Sequence, residues 1–235
     1  MGKSVPSPNR LLASLPSADF ELLGRHLKTI KLVHATVLFE AGDPIKRVYF
    51  PHSGIISLVV GLKGGQTIEV AMIGWDSVVG GSLALGGAFA LNKGIVQASG
   101  VASILNATRL REAAAASVAL RETLFRHEQA VLARAQQSAA CNATHTVEAR
   151  LARWLLRSHD LLGRDTLPLT QEFLGQMLGV RRTSISLVAN TLQKAGLIKY
   201  VRGRIQITDL KGLKNAACKC YGAVKAQTDR LLNGS

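Results

Sequence analysis

Residues 169–207 constrain the fold of this chain more than any other stretch. Apolar side chains recur there at helical spacing in two successive segments. Thr170 precedes the first segment and is a residue type that caps helix N-termini. Gly179 ends this segment, because glycine readily adopts the left-handed conformation that follows many helices. The second segment begins near Arg181 and stops at Gly196, so the pattern predicts a helix-turn-helix.

A β-hairpin is predicted directly after the second helix. Residues 198–201 and 204–207 are short β-rich runs, and the dipeptide Arg202-Gly203 joins them. This hairpin would make the motif a winged helix-turn-helix.

The second helix of the motif combines an apolar face with a polar one. Its apolar positions, such as Ile185 and Leu192, leave Arg182, Thr183 and Ser186 on a different face near the N-terminal end. That end of a recognition helix meets base edges in the major groove, where arginine can bind guanine and a hydroxyl can bind base or phosphate. These three residues are therefore predicted to read bases. The alternative is an ordinary packing motif with solvated arginines.

The charge distribution favours DNA as the partner of this motif. The formal net charge is +14, with +5 up to residue 145 and +9 after it. The shorter C-terminal part is thus the more basic, as expected of a nucleic-acid-binding end. Positive groups that phosphate contacts require surround the motif: Arg181, Lys199, Arg202 and Arg204. Arg202, in the turn of the wing, is predicted to contact phosphate.

The sequence pattern of residues 30–107 differs from that of the helix-turn-helix. Short β-rich runs alternate there with turn residues, which predicts a β-barrel or jelly roll. With the helical remainder, the predicted fold class is α+β. The runs are residues 36–39, 47–50, 55–61, 66–73, 95–98 and 102–106.

Residues 112–160 are predicted to be helical, in segments. Leu124, Val131 and Ser138 follow one another at seven-residue spacing, which is typical of an imperfect coiled-coil seam between two subunits. The alternative is a helix that packs on the β-roll of its own chain. A final helix, capped by Asp209, is predicted to follow the wing.

Two phrases of the sequence resemble the Crp–Fnr superfamily of bacterial transcription regulators. They are LTQEFLGQMLGVRRTSISLVANTLQKAGLI in the helix-turn-helix and LFEAGDPIKRVYFPHSGIISLV in the β-rich part. The resemblance implies a cyclic-nucleotide-binding-like β-roll sensor over residues 1–115 and a connecting dimerisation helix over 116–145. It further implies a winged helix-turn-helix domain with a C-terminal helix over 146–235.

The resemblance also implies a function and site positions. It implies a dimeric, sequence-specific transcription regulator that reads a near-palindromic operator, with RNA polymerase as a plausible further partner. Leu187 stands where the family often has arginine, so the base preference is expected to differ from that of well-known members. Arg182 and Thr183 fall on base-reading positions of the family. The phosphate-facing positions are Thr170, Gln171, Arg181 and Ser184.

The effector pocket is the part where the resemblance fails. Nucleotide-binding members carry Gly-Glu and, later, Arg-Ser, which hold the ribose and the cyclic phosphate. The corresponding residues here are Gly80, Gly81, Ser82, Asn92 and Lys93. A buried phosphate needs a fixed positive partner, and lysine does not reproduce the bidentate fork of arginine. The sensor is therefore predicted not to bind cyclic AMP, and the effector is not identified.

The three cysteines form no even disulfide framework, which suggests a reducing cytoplasm. Cys218 and Cys220 alone would make a poor zinc site, and no matching Cys/His pair lies nearby in sequence. Small buried or edge thiols are the favoured interpretation, within the final helix. Cys141 is the first cysteine, so the N-terminal iron–sulfur cluster of the Fnr branch is not expected. Neither metal nor other cofactor is predicted.

The remaining function classes have weaker support. The six histidines are scattered and form no catalytic constellation, so an enzyme is not predicted. No apolar run is long enough for a membrane span, and a cytoplasmic protein without a membrane partner is expected. The alternative function is a small-molecule-binding or protein-interaction module whose winged helix does not bind DNA.

Overall fold

A computed structural model describes residues 7–233. The chain divides into two compact units. Unit 1 takes the chain up to Leu58, residues Ile73–Ala133 and the C-terminal residues from Gln227. Unit 2 takes Val59–Met72 and Arg134–Ala226. The domain limits expected near residues 115 and 145 stay a prediction.

The first half of the chain contains most of the strands. The elements are α1 (Arg10–Ala13), α2 (Ser17–Gly24), β1 (Lys28–Leu32), β2 (Val37–Phe39), β3 (Arg47–Pro51), β4 (Ile55–Gly61), β5 (Thr67–Ile73), a 3₁₀ turn (Gly81–Leu85), β6 (Lys93–Ala98), β7 (Gly100–Asn106) and α3 (Ala107–Ala116).

The second half is mainly helical. The elements are α4 (Val118–Thr144), α5 (Val147–Leu162), β8 (Thr166–Leu167), α6 (Gln171–Leu178), α7 (Arg182–Lys194), β9 (Ile198–Val201), β10 (Arg204–Ile207), α8 (Leu210–Ala216) and α9 (Cys220–Asn233).

The strands of the first half form two sheets, with strand orders β1-β7-β3 and β2-β6-β4-β5. The pairs β1–β7, β3–β7 and β2–β6 are antiparallel. The predicted α+β class, with a β-roll followed by a winged helix-turn-helix, is confirmed. Strand β1 was not predicted, because its sequence KTIKL carries two lysines and is mostly exposed.

The core of unit 1 corrects the predicted dimer seam. Leu124 has no exposed surface and lies in a buried cluster with Leu110 and Leu120. It is therefore not available to a second subunit, and Val131 and Ser138 are only half-exposed. A shift of one residue turns a helix by about 100°, and that shift gives the exposed apolar face of α4. This face, the α4 stripe, consists of Val118, Phe125 and Leu132, which are 60%, 52% and 57% exposed.

Unit 2 is organised around α5, which contacts α7 and α8. The Trp154 ring meets the edge of the Phe173 ring at a centroid distance of 6.3 Å and an angle of 67°. Trp154 Nε1 also donates a 2.7 Å hydrogen bond to Glu69 Oε1, in the β4–β5 hairpin. The wing is a three-stranded sheet of order β8-β10-β9. Strand β8 was not predicted, since it is only two residues long.

The helices after the wing differ from the predicted single helix. Asp209 caps α8 as expected, with its Oδ1 accepting a 2.9 Å hydrogen bond from the Gly212 N–H. The helix nevertheless ends at Ala216, because Ala217 adopts an extended conformation. Cys218 therefore lies in a loop, and α9 begins at Cys220. Within residues 7–233, no helix has the length and apolar character needed to cross a bilayer.

Candidate nucleic-acid interface

The turn between α6 and α7 has the geometry that the sequence predicts. Thr170 Oγ1 accepts a 3.1 Å hydrogen bond from the Phe173 N–H and caps α6. Gly179 ends α6 at φ 65°. Arg181 occupies the N-cap of α7 in an extended conformation, with no side-chain hydrogen bond across the first turn. The first N–H groups of α7 are thus left for an anion such as a phosphate.

Two contacts that sequence reasoning missed fix this turn. A Cβ on Gly175 would lie 3.0 Å from the Val180 carbonyl oxygen, so only glycine allows the two segments to approach without adjustment. The buried Arg150 donates a hydrogen bond from Nη2 to the Leu178 carbonyl, at the end of α6. Burial, and then the charge of Arg153, lowers the pKa of Arg150. The glycine was visible in the sequence, but its partner was not.

The structure exposes two of the three residues of α7 that were predicted to read bases. Arg182 and Thr183 are exposed in the first turn, whereas Ile185 is buried. Ser186 is half-buried, and its Oγ donates a 2.6 Å hydrogen bond to Gln171 Oε1. The structure therefore joins a predicted base reader to a predicted phosphate contact. The Gln171 Nε2 amide is not used in this bond, and the Ser186 hydroxyl oxygen can still accept a further hydrogen bond.

The exposed face of α7 continues beyond the predicted residues. Leu187 is 70% exposed, and Asn190 is also exposed. An exposed leucine can contact a thymine methyl group, and asparagine can bind adenine with two hydrogen bonds. Sequence reasoning noticed Leu187 only as a departure from the family, because its exposure was unknown.

The wing turn has a conformation that matters for Arg202. Val201 pairs with Arg204, so Arg202 and Gly203 form a two-residue loop. Their φ angles are 40° and 77°, as a type I′ turn requires. This loop presents the Arg202 side chain to solvent.

Five basic residues around the motif are available to a partner: Arg181, Arg182, Lys199, Arg202 and Arg204. All of them are exposed, and none forms an ion pair with another of the described residues, 7–233. Ser184, another predicted phosphate contact, is half-buried beside them on the first turn of α7. Such unpaired charges are suited to neutralising phosphates. We call Arg181, Arg182, Lys199, Arg202 and Arg204 the basic surface.

The predicted effector pocket is occupied by groups of its own unit. A Cβ on Gly81 would lie 2.8 Å from Glu128 Oε1, so a carboxylate lies against this predicted pocket residue. Lys93 Nζ pairs with Glu40 Oε1 at 2.9 Å. Gly80 has φ 89° and precedes the 3₁₀ turn that contains Gly81 and Ser82, and Asn92 is half-buried. Of the predicted pocket residues, Gly81 thus lies against a carboxylate, and Lys93 already has an ion-pair partner.

A cavity of about 340 Å³ lies in unit 1. Its lining includes Phe39, Arg47 and Tyr49, and none of the five predicted pocket residues. Burial raises the pKa of Tyr49, against the opposing effect of Arg47. The cavity adjoins the predicted pocket, since a Cβ on Gly80 would lie 3.3 Å from the Ile45 side chain and 3.4 Å from the Arg47 carbonyl oxygen, and both residues line the cavity.

Comparison with known proteins identifies the kind of helix-turn-helix domain that this chain contains. Residues 149–216 match the family model of the Crp-like helix-turn-helix domain. No curated protein sequence matches the chain significantly.

Solved structures are similar over nearly their whole length. FixK2 from Bradyrhizobium japonicum has a TM-score of 0.71 at 17% identity, covering 82% of this chain and 98% of that one. The c-di-GMP-responsive global regulator CLP of Xanthomonas campestris has a TM-score of 0.64 at 18% identity, with coverages of 82% and 99%. A Crp/Fnr-family transcriptional regulator from Thermus thermophilus gives 0.62 at 20% identity, with coverages of 81% and 98%.

The winged helix-turn-helix, with its exposed basic recognition helix, is therefore a Crp-like helix-turn-helix domain. The chain as a whole has the fold of the solved Crp–Fnr regulators. The resemblance stated from the sequence is thereby confirmed.

Proposed function

We propose that this protein is a dimeric, sequence-specific regulator of transcription that reads a near-palindromic operator. The observation that carries the proposal is the first turn of α7. There, Arg182 and Thr183 are exposed beside an N-terminus without a side-chain cap. The remaining members of the basic surface lie around it and form no ion pair with any described residue, 7–233. Base contacts by α7 would supply specificity, and phosphate contacts by the basic surface would supply most of the affinity.

Dimerisation is proposed through the α4 stripe. Val118, Phe125 and Leu132 repeat at seven-residue spacing and are each more than half exposed. Large apolar side chains in such a heptad pattern are stabilised by a second helix of the same kind. A two-fold pair would carry two copies of α7 about 34 Å apart, one turn of DNA, and would therefore read a near-palindrome.

The function of unit 1 is proposed as a sensor that does not bind cyclic AMP. Glu128 beside Gly81 and the Lys93–Glu40 pair support this, because both oppose binding of a cyclic phosphate. RNA polymerase is proposed as a further partner on the basis of the family resemblance alone. The absence of enzymatic activity stays a prediction.

The experiment is selection of DNA from a random pool by the purified full-length protein. We expect enrichment of a near-palindrome whose half-sites are about one helical turn apart. Arg182→Ala should change the enriched sequence, whereas Arg111→Ala, a matched exposed arginine on α3, should not. If the wild-type protein enriches no sequence, the specific regulator is excluded, and a module for protein contacts becomes the better hypothesis.

A further inference from the structure

Four side chains with metal-binding atoms converge in unit 2. The residues are Cys141, His145, Cys218 and Cys220, and one ligand atom of each lies within 4.8 Å of all the others. Cys141 lies in the last turn of α4 and His145 directly follows that helix, whereas Cys218 precedes α9 and Cys220 is its first residue. The chain has three cysteines, and all of them belong to this cluster.

The distance between two of the thiols fits one metal ion. The Sγ atoms of Cys141 and Cys218 are 3.9 Å apart. A tetrahedral zinc with Zn–S bonds of about 2.3 Å places two thiolates about 3.8 Å apart. A disulfide would require about 2.05 Å, so the two sulfurs are not bonded here. An iron–sulfur cluster ordinarily takes four cysteines, one more than this chain contains.

The histidine of the cluster provides an independent observation. Its Nδ1 atom is buried and has no hydrogen-bond partner among residues 7–233. A buried polar nitrogen without a partner is destabilising, because it has lost its hydrogen bonds to water. A metal ion bound at Nδ1 would remove this penalty, and His145 is already held in place because its backbone N–H donates a 3.0 Å hydrogen bond to the Cys141 carbonyl.

The surroundings suit a negatively charged metal centre. Three thiolates around one Zn²⁺ leave a net charge of −1. Arg153 interacts electrostatically with both Cys218 and Cys220, and its charge would compensate this excess. Gln137 Nε2 donates a 3.5 Å hydrogen bond to Cys141 Sγ, and bonds of this kind orient metal ligands.

We propose that Cys141, His145, Cys218 and Cys220 together bind one zinc ion in a closed, four-coordinate structural site. Thiolate and imidazole ligands in tetrahedral arrangement favour Zn²⁺, and four protein ligands leave no position for catalysis. Each thiol that coordinates the metal releases its proton to solvent. The ion would connect the end of α4 to the loop between α8 and α9. Its ligand His145 directly precedes Thr146, which caps α5.

The test is metal titration of the full-length protein, purified under reducing conditions and treated with a chelator. We expect one Zn²⁺ per chain and a higher Tm with zinc, since a ligand that binds only the folded state stabilises it. Cobalt(II) should give the intense visible absorption of a tetrahedral ion, together with thiolate-to-cobalt charge-transfer bands. Cys141→Ser and His145→Asn should each weaken binding at least tenfold, whereas His26→Asn, outside the cluster, should not.

A measurement on the wild-type protein covers the case in which these variants fail to fold. All three thiols should be protected from a thiol reagent in the presence of zinc and become reactive when the chelator is added. The proposal is overturned if cobalt gives no thiolate charge-transfer bands. It is equally overturned if the mass of the native chain is two hydrogens lower and no metal is bound, because that result shows a disulfide between two of the three cysteines of the cluster.

Discussion

The predicted effector pocket in unit 1 and the winged helix-turn-helix in unit 2 use their charged groups in opposite ways. Lys93 is paired with Glu40, whereas Arg182 and Arg202 are exposed and form no ion pair within residues 7–233. A charge that is neutralised by a neighbour has less to offer a ligand. An unpaired surface arginine gains its main interaction from a partner. We therefore expect substitutions in unit 1 to alter the free energy of unfolding, and substitutions on the basic surface to alter DNA affinity.

The largest effect is expected in the core of unit 1. Leu124→Ala should lower the free energy of unfolding by about 2–5 kcal/mol, because it leaves a cavity among fully buried side chains. Gln129→Ala, exposed on the same helix, should change it by less than about 0.5 kcal/mol. Urea unfolding followed by circular dichroism measures both values. Equal losses for the two variants would contradict the assignment of Leu124 to the core.

The α4 stripe should separate association from folding. Leu132→Glu should weaken self-association at least tenfold, or about 1.4 kcal/mol, because it places a charge in an apolar contact. Sedimentation equilibrium measures this, and the circular dichroism spectrum should stay that of the wild type. A wild-type protein that is monomeric at micromolar concentration would remove the dimer, and with it the near-palindrome.

The recognition helix should show the opposite behaviour from the core. Arg182→Ala should reduce affinity for the selected operator by about 1–3 kcal/mol and relax the preference at one base pair, with little change in Tm. Thr183→Ala should have a smaller effect, since one hydroxyl is an ambiguous reader. Fluorescence anisotropy on operator and scrambled DNA provides the measurement. Equal losses on both DNAs would move Arg182 from base reading to phosphate binding.

The wing should contribute affinity without specificity. Arg202→Asn removes the charge but suits the left-handed turn, so the fold is expected to survive. Binding to all sequences should weaken alike, and the slope of log K against log salt should fall by about one per subunit contact. A change of specificity, or an unchanged slope, would show that Arg202 does not contact phosphate.

The smallest effect is expected when nucleotide is added. Cyclic AMP or cyclic GMP should leave DNA affinity and Tm unchanged, because Glu128 and the Lys93–Glu40 pair oppose a cyclic phosphate. Calorimetry at physiological nucleotide concentrations is the direct test. Measurable binding would show that these charges do not prevent a cyclic nucleotide from binding to unit 1.

The winged helix-turn-helix could be predicted closely because its signals are local. The Thr170 cap and the turn at Gly179 follow from neighbouring residues, and the two hairpin strands of the wing, β9 and β10, have the predicted limits. The contact between Gly175 and Val180 is also short in sequence. The close approach of the Val180 carbonyl to Gly175 arises only in the fold, however, and neither residue type predicts it.

Other features depend on contacts between distant residues. Periodicity identified apolar positions of α4, but it could not show that Leu124 faces its own core and Leu132 faces solvent. Cys218 found no partner near it in sequence, because Cys141 lies 77 residues earlier. The sequence therefore located the helix and the cysteines, whereas their neighbours required the structure.

The conformation of Arg202 has a consequence for selection under heat. A left-handed φ is unfavourable for an arginine by about 1–2 kcal/mol, and Asn-Gly is a better pair for this kind of turn. Directed evolution for thermal tolerance alone should therefore replace Arg202, by asparagine or glycine. Selection that also demands repression or activation of a reporter should retain it. The turn would then be a position where stability and regulation compete, and survivors of the two screens would differ there.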